Sequence, residues 1–386
     1  MTTGLLLGFA LVSVAVWIGL LLLRGGFWRC DQRIAPAAEF AAWPAVVAVI
    51  PARNEAATIG FTVGSLLAQN YPGKIHVIVV DDNSDDDTAT AAGRSDRLTV
   101  VKGEPLEPGW TGKLWALQQG LTAAGDTLSE AGYALLTDAD IEHHPANLRE
   151  LVSMAEKGGL DLTSLMVKLR CESGWERLLI PAFVFFFQKL YPFPRVNDRS
   201  RPEAAAAGGC MLVRLSALVA AGGIQTIRDR LIDDCALATL IKRHGPIWLG
   251  LTEHTVSLRA YDDLAQIWHM VARTAFVQLN HSVLALFGTV LGMVIIYLVP
   301  SVSLFVGVIL RDTALSFAGA AAMGIMTAAY APTLRLYGQP LWRGPWLPVA
   351  AVLYLLITVS SAIRHWRGRG SAWKGRTYSE KVSRPA

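Results

Sequence analysis

Residues 5–23 contain no charge and only one polar side chain, Ser13. No other feature limits so strongly what this chain can fold into. As a helix the run is about 28 Å long, enough to cross a hydrocarbon core. A cleaved leader would carry basic residues before the run and a small-residue site after it. This chain instead begins Met1-Thr-Thr-Gly4 and leaves the run through Arg24-Gly-Gly-Phe-Trp-Arg29, so an uncleaved anchor over residues 1–30 is expected. Arg24, Arg29 and Arg33 follow the helix and no basic residue precedes it, which puts the next domain in the cytoplasm. Three more apolar stretches, 283–310, 314–331 and 346–363, lie in a C-terminal region expected to span 276–386. The stretch 314–331 is rich in Ala and Gly and is the weakest of them as a membrane span. Three full passages would place the basic tail (Arg364, Arg367, Arg369, Lys374, Arg376) outside, against the charge rule, whereas a re-entrant passage at 314–331 would not. Residues 178–194 include a Phe cluster too short to span, flanked by Lys189 and Arg195; an interfacial helix is favoured over a buried one. Hydrophobic residues at 52% against 17% charged fit a membrane-embedded protein.

Between these ends, residues 44–160 alternate strand-like and helix-like patterns. Val46-Val-Ala-Val-Ile50, Ile75-His-Val-Ile-Val-Val80, Leu98-Thr-Val-Val101 and Tyr133-Ala-Leu-Leu136 read as strands, with helical spacing over 55–69 and 113–123. This rhythm predicts an α/β domain with a mostly parallel sheet and ligands at the carboxyl ends of its strands. Neither a Gly-x-Gly-x-x-Gly nor a P-loop sequence is present.

The polar residues collect where those strands end. After Tyr133-Ala-Leu-Leu-Thr come Asp138-Ala-Asp140, two carboxylates suited to Mg²⁺ or Mn²⁺ when substrate phosphates complete the shell. Strand one runs into Pro51-Ala-Arg-Asn-Glu55, where Arg53 and Glu55 can meet a ribose or base. Strand two runs into Asp81-Asp-Asn-Ser-Asp-Asp-Asp-Thr88. Much of that run is turn and helix-cap chemistry, while Asp82 is a candidate for a base or sugar hydroxyl. Lys113, opening a helix after Gly109-Trp-Thr-Gly112, can reach a phosphate or base edge or simply close a loop. His254 is a possible further metal ligand, although a satisfied polar histidine is the commoner role. The dispersed cysteines (Cys30, Cys171, Cys210, Cys235) suggest neither zinc nor disulfides, and a net charge of +4 gives no reason to expect a nucleic-acid partner.

Together, Pro51-Ala-Arg-Asn-Glu55, Val79-Val-Asp-Asp-Asn-Ser-Asp-Asp-Asp-Thr88 and Thr137-Asp-Ala-Asp140 resemble the family 2 glycosyltransferases. The resemblance implies a GT-A (Rossmann-like) domain over residues 40–275, a nucleotide-diphosphate-sugar donor and a divalent metal on Asp140 and Asp138. Gly208-Gly209-Cys-Met-Leu212 is similar to the segment lining sugar and acceptor. Leu231-Ile-Asp233-Asp234-Cys-Ala-Leu237 is similar to the acidic pair whose second member is the catalytic base, here Asp234. Of the Gln-x-x-Arg-Trp motif only Arg273 remains, with Met270 and Thr274 in place of Gln and Trp, which weakens a processive synthase reading. The tail Gly370-Ser-Ala-Trp-Lys-Gly-Arg-Thr-Tyr378 resembles the ending of glycosyltransferases that act on isoprenoid lipids. The overall layout is similar to bacterial hopanoid-biosynthesis-associated glycosyltransferases.

That resemblance implies an inverting hexosyltransferase of the bacterial inner membrane with a membrane-lipid acceptor. A ceramide- or polyprenyl-phosphate-directed transferase is the next reading. A transporter would need polar or broken helices at the membrane midplane and repeated halves, and the sequence shows no repeat. A silent scaffold is disfavoured by the intact acids at 82, 138, 140 and 234.

Overall fold

Eight strands form one sheet in the order β3-β2-β1-β4-β7-β6-β8-β5. They are β1 (Ala45–Ala52), β2 (Ile75–Asp81), β3 (Leu98–Lys102), β4 (Ala131–Leu136), β5 (Ile141–Glu142), β6 (Leu162–Lys168), β7 (Met211–Arg214) and β8 (Ile247–Ser257). The computed structural model describes residues 2–125, 131–368, 372–373 and 376–377. Of the tail motif 370–378, only the short antiparallel strands Ala372–Trp373 and Arg376–Thr377 are described; its other residues lie outside the described set.

The β-branched runs of β1 and β2 are buried because helices cover both faces of the parallel half. β1 pairs in parallel with β2 and β4, and β2 with β3, as the alternating pattern predicts. The second half was not legible in that pattern. β7 lies antiparallel between β4 and β6, so the sheet is mixed there, and β8 returns parallel to β6. Pro51 sits inside β1 opposite Val80, beyond the last β1–β4 pair at Val49 and Leu136. Its missing N–H therefore breaks no ladder on the β4 side. Ile50, Val79, Tyr133, Leu135 and Leu151 are among the residues forming this half's core.

The chain divides into two compact units. The sheet unit holds residues 31–170 and 195–260. The helical unit holds 1–30, 171–194 and 261–369, so segments that the sequence reading placed in the sheet domain belong with the helices. Its helix Gly174–Leu190 begins before the expected 178 because Ser173 and Glu176 form a capping box. It ends before the expected 194 because Pro192 follows Tyr191, disfavouring helical backbone there. Leu179, Ala182 and Phe185 on this helix share a core with Trp17, Tyr330 and Tyr354.

Among the described residues, four helical segments are long and apolar enough to cross a membrane: Thr3–Leu23, Val283–Leu310, Thr313–Leu336 and Leu341–Trp366. The re-entrant alternative for 314–331 is corrected, because Thr313–Leu336 is one continuous helix. The small residues that lowered its hydropathy serve close packing. A Cβ on Gly319 would stand 2.4 Å from the Leu304 amide nitrogen, and one on Gly307 2.5 Å from that of Ser316. A π-turn at Val294–Leu298, followed by Pro300, interrupts Val283–Leu310.

Candidate functional site

One edge of the sheet unit gathers the ends of β1, β2 and β4, the start of β7 and the far end of β8. β7 runs antiparallel, so Gly208 and Gly209, just before its first residue, arrive at the same edge as the carboxyl ends of β1 and β4. The helices Gly112–Ala123 and Asp233–Lys242 begin there as well.

Lys113 joins the two acidic motifs. Its Nζ lies 2.9 Å from Asp138 Oδ1 and 3.0 Å from Asp233 Oδ2. Burial works against its charge, but Asp138 and Asp233 outweigh burial and raise its pKa, so the ammonium stays protonated. Gly208 lies close beside it: a Cβ there would stand 2.9 Å from Lys113 Nζ and push the ammonium aside. Asp234 is held by two backbone amides, with Oδ2 accepting from Gly208 at 3.0 Å and Oδ1 from Cys235 at 2.7 Å. Burial, followed by the negative charge of Asp233, pushes Asp234 up to about 6; Lys113 and the amides oppose that rise. A carboxyl so poised accepts a proton near neutral pH.

Replacing Lys113 by Met leaves Asp138 and Asp233 without their shared cation. A loss of about 2–3 kcal/mol is expected, within the range for breaking partly buried ion pairs. Urea unfolding of the purified protein in detergent checks it; an unchanged midpoint would show that the pairs add nothing.

Asp140 is fixed from β8 and from the segment after it. Arg259 Nε donates to Asp140 Oδ2 at 2.7 Å, and the same guanidinium reaches Glu55 Oε1 at 2.5 Å. Ser257 Oγ lies 3.5 Å from Asp140 Oδ2, and the Leu258 amide donates to the Asp140 carbonyl at 2.7 Å. Burial raises the Asp140 pKa, helped by Asp138 and Glu55, while Arg259 counters it. Thus Asp138 faces Lys113 and Asp140 faces Arg259. No group of three or more His, Cys, Asp or Glu able to hold a metal occurs among the described residues. Two hard oxygen donors still fit Mg²⁺ or Mn²⁺, which take one or two carboxylates and complete the shell with phosphates and water.

Asp82 is fully buried, and its amide donates to the Ala52 carbonyl at 2.8 Å. Arg53 donates to the Asp82 and Asn83 carbonyls at 2.5 and 2.8 Å, tying the ends of β1 and β2 together. The rest of the acidic run is turn chemistry. Asn54 and Asn83 adopt positive φ, Asn54 Oδ1 accepts from the Asp85 amide, and Asp86 accepts from the amides of Ala56 and Thr88. Pro51 is buried in β1 and supports this corner through its backbone.

Three contributors escaped the sequence reading. Arg259 had no motif to mark it. Thr137, His143 and Asn147 form a buried chain behind Asp138: Asn147 Nδ2 donates to His143 Nδ1 at 3.0 Å, which leaves Nε2–H for Thr137 Oγ1 at 2.9 Å. The Thr137 hydroxyl then donates to the Gly209 carbonyl at 2.7 Å. Burial pushes His143 down to about 3, so it stays neutral. Ser257 is the third, and only the β8 register brings it near Asp140.

His254 is not brought together with these. It is exposed and packs on His144 with ring centroids 5.0 Å apart. Arg273 belongs to the helical unit, at the C-cap of the helix Leu264–Ala272.

Residues 47–220 match the family model described as glycosyl transferase family 2. A curated relative from Staphylococcus aureus, 4,4'-diaponeurosporenoate glycosyltransferase, is 29% identical over 199 residues, 50% of each chain. The protein of that name from another strain is 42% identical over 81 residues, 21% of each chain. The chain thus spans half or less of the length of these relatives. Among solved structures, a mannosyltransferase from Pyrobaculum calidifontis in complex with GDP-Man and Mn²⁺ matches with a TM-score of 0.55 and 19% identity. That match covers 93% of this chain and 99% of that one. The sheet unit therefore has the GT-A fold, and residues 47–220 are similar to glycosyl transferase family 2.

Proposed function

We propose that this protein transfers a sugar, with inversion, from a nucleoside-diphosphate sugar to a hydroxyl of a membrane lipid. The observation that carries the reading is Lys113, which ties the Asp138-Ala-Asp140 motif to the Asp233-Asp234 pair at one sheet edge. The mannosyltransferase whose fold is similar was solved with GDP-Man and Mn²⁺, and the curated relatives are named for glycosylating 4,4'-diaponeurosporenoate. The first name supports a nucleotide-sugar donor, and the relatives' name supports an acceptor other than a second sugar.

Asp138 and Asp140 would hold Mg²⁺ or Mn²⁺, which supplies positive charge against the leaving diphosphate when bound. Asp82, Arg53 and Glu55 line the corner that suits the nucleoside. Asp234 takes the proton of the acceptor hydroxyl as its oxygen attacks the anomeric carbon, the general-base role its raised pKa supports. A single base opposite a single leaving group gives direct displacement. In this reading Arg273 adds positive charge near the diphosphate, the helices cross a bacterial inner membrane and the site faces the cytoplasm. A hopanoid is the acceptor favoured by the tail motif and the overall layout.

Lipid profiling of membranes with and without the gene tests this. One glycosylated lipid is expected to disappear while its unglycosylated precursor accumulates, with a hopane skeleton in both. Identical lipid profiles would overturn the transferase reading, and a changed non-hopanoid pair would overturn only the acceptor.

A further inference from the structure

The helical unit contains a pocket of about 210 Å³ lined by Arg177, Leu178, Tyr330, Leu334, Trp342, Arg343, Trp346 and Leu347. Its walls come from three separate segments: the first turn of Gly174–Leu190, the last turns of Thr313–Leu336, and the 3-10 turn Leu341–Trp346 leading into the final helix. Tyr330, Leu334 and Leu347 are buried there, so the floor is apolar.

Two cations line the same pocket, and neither Arg177 nor Arg343 has a carboxylate partner among the described residues. Glu176, the acid next to Arg177, is already occupied. Its Oε2 accepts from the amides of Glu172 and Ser173 at 2.8 Å, and its Oε1 accepts from that of Tyr261 at 2.7 Å. Arg343 lies over the Trp342 ring at 5.2 Å, while its Nε is buried without a hydrogen-bond partner. A buried, unsatisfied guanidinium N–H is costly unless a ligand accepts from it. Trp and Arg also collect in ordinary interfacial belts. Arg177, Trp342 and Trp346 are exposed in the same way, but here Tyr330, Leu334 and Leu347 add a buried apolar floor beneath them.

We propose that this pocket binds an anionic lipid by its oxyanion headgroup, with Arg177 and Arg343 as the donors and the aromatic and leucine walls holding the first carbons of its chain. The proposal stands apart from the transferase reading, because it uses only residues of the helical unit.

The probes are dioleoyl phosphatidic acid, dioleoyl phosphatidylcholine and inorganic phosphate, added to the purified full-length protein in detergent and followed by native mass spectrometry. The wild type is expected to prefer phosphatidic acid over phosphatidylcholine by about tenfold, the scale of one charge-assisted hydrogen bond. R177Q/R343Q is expected to bind both lipids alike. Arg343→Lys keeps the charge but loses the planar fork, so a partial loss of about threefold is expected; this variant carries the test if the double variant does not fold. Equal wild-type binding of the two lipids, or an undiminished preference in the variants, would overturn the proposal. Inorganic phosphate competing as well as phosphatidic acid would reduce the pocket to a free-anion site and overturn the lipid assignment.

Discussion

Asp234→Asn is expected to lower sugar transfer by about a thousandfold while leaving donor affinity within about twofold, the signature of a lost general base. The substitution keeps the side chain's shape but leaves one acceptor oxygen for the two amides of Gly208 and Cys235, so it removes the proton-accepting carboxylate together with one of these hydrogen bonds. The wild-type pH profile follows from the same group. Transfer needs the ionised carboxylate, and burial beside Asp233 puts that ionisation at about 6. The rate is therefore expected to rise with pH through about 6 and level off above it. Lys113 holds the Asp234 pKa down, so Lys113→Met is expected to move the midpoint upward. A profile flat from pH 5 to 8 in the wild type would remove Asp234 from the role.

The second large effect concerns Asp140. Asp140→Asn removes a negative charge from the metal motif and weakens its bond to Arg259, which also reaches Glu55. If a metal on Asp138 and Asp140 supplies several kcal/mol of charge stabilisation to the leaving diphosphate, the rate falls by about a thousandfold. In contrast to Asp234→Asn, Mn²⁺-dependent donor binding is expected to fall too. Calorimetric titration with the nucleotide sugar, with and without Mn²⁺, distinguishes the two variants. An Asp140→Asn protein that binds donor and metal as tightly as wild type would place the metal elsewhere.

The parallel half of the sheet was legible because β1, β2 and β4 are short, continuous, β-branched or apolar runs bounded by turn residues. The other half was not. β6 carries Thr163 and Ser164, both buried, and Ser164 is satisfied only through Ala207 and Cys210, distant in sequence. That non-local pairing hides the strand from any reading of local periodicity. The acids of the site were visible as motifs, since their spacing is local. Their counter-cations were less so. Lys113 stood out by its place at a helix start, but its joint grip on Asp138 and Asp233 joins segments far apart in the sequence. Arg259 follows β8 with no flanking signal at all. In the helices, the Ala and Gly content of 314–331 made it the weakest apolar stretch, and Gly319 is one of those small residues. In the structure it provides the space that lets two helices touch.

The most direct test of the central claim loads purified Asp234→Asn with Mn²⁺ and a labelled nucleotide sugar, then adds lipid extract and follows label into glycolipid beside wild type. The account predicts wild-type donor binding in both proteins, with labelled lipid formed by the wild type alone. Labelled lipid forming at a comparable rate in the variant, or a wild type that binds no nucleotide sugar with Mn²⁺, would contradict it.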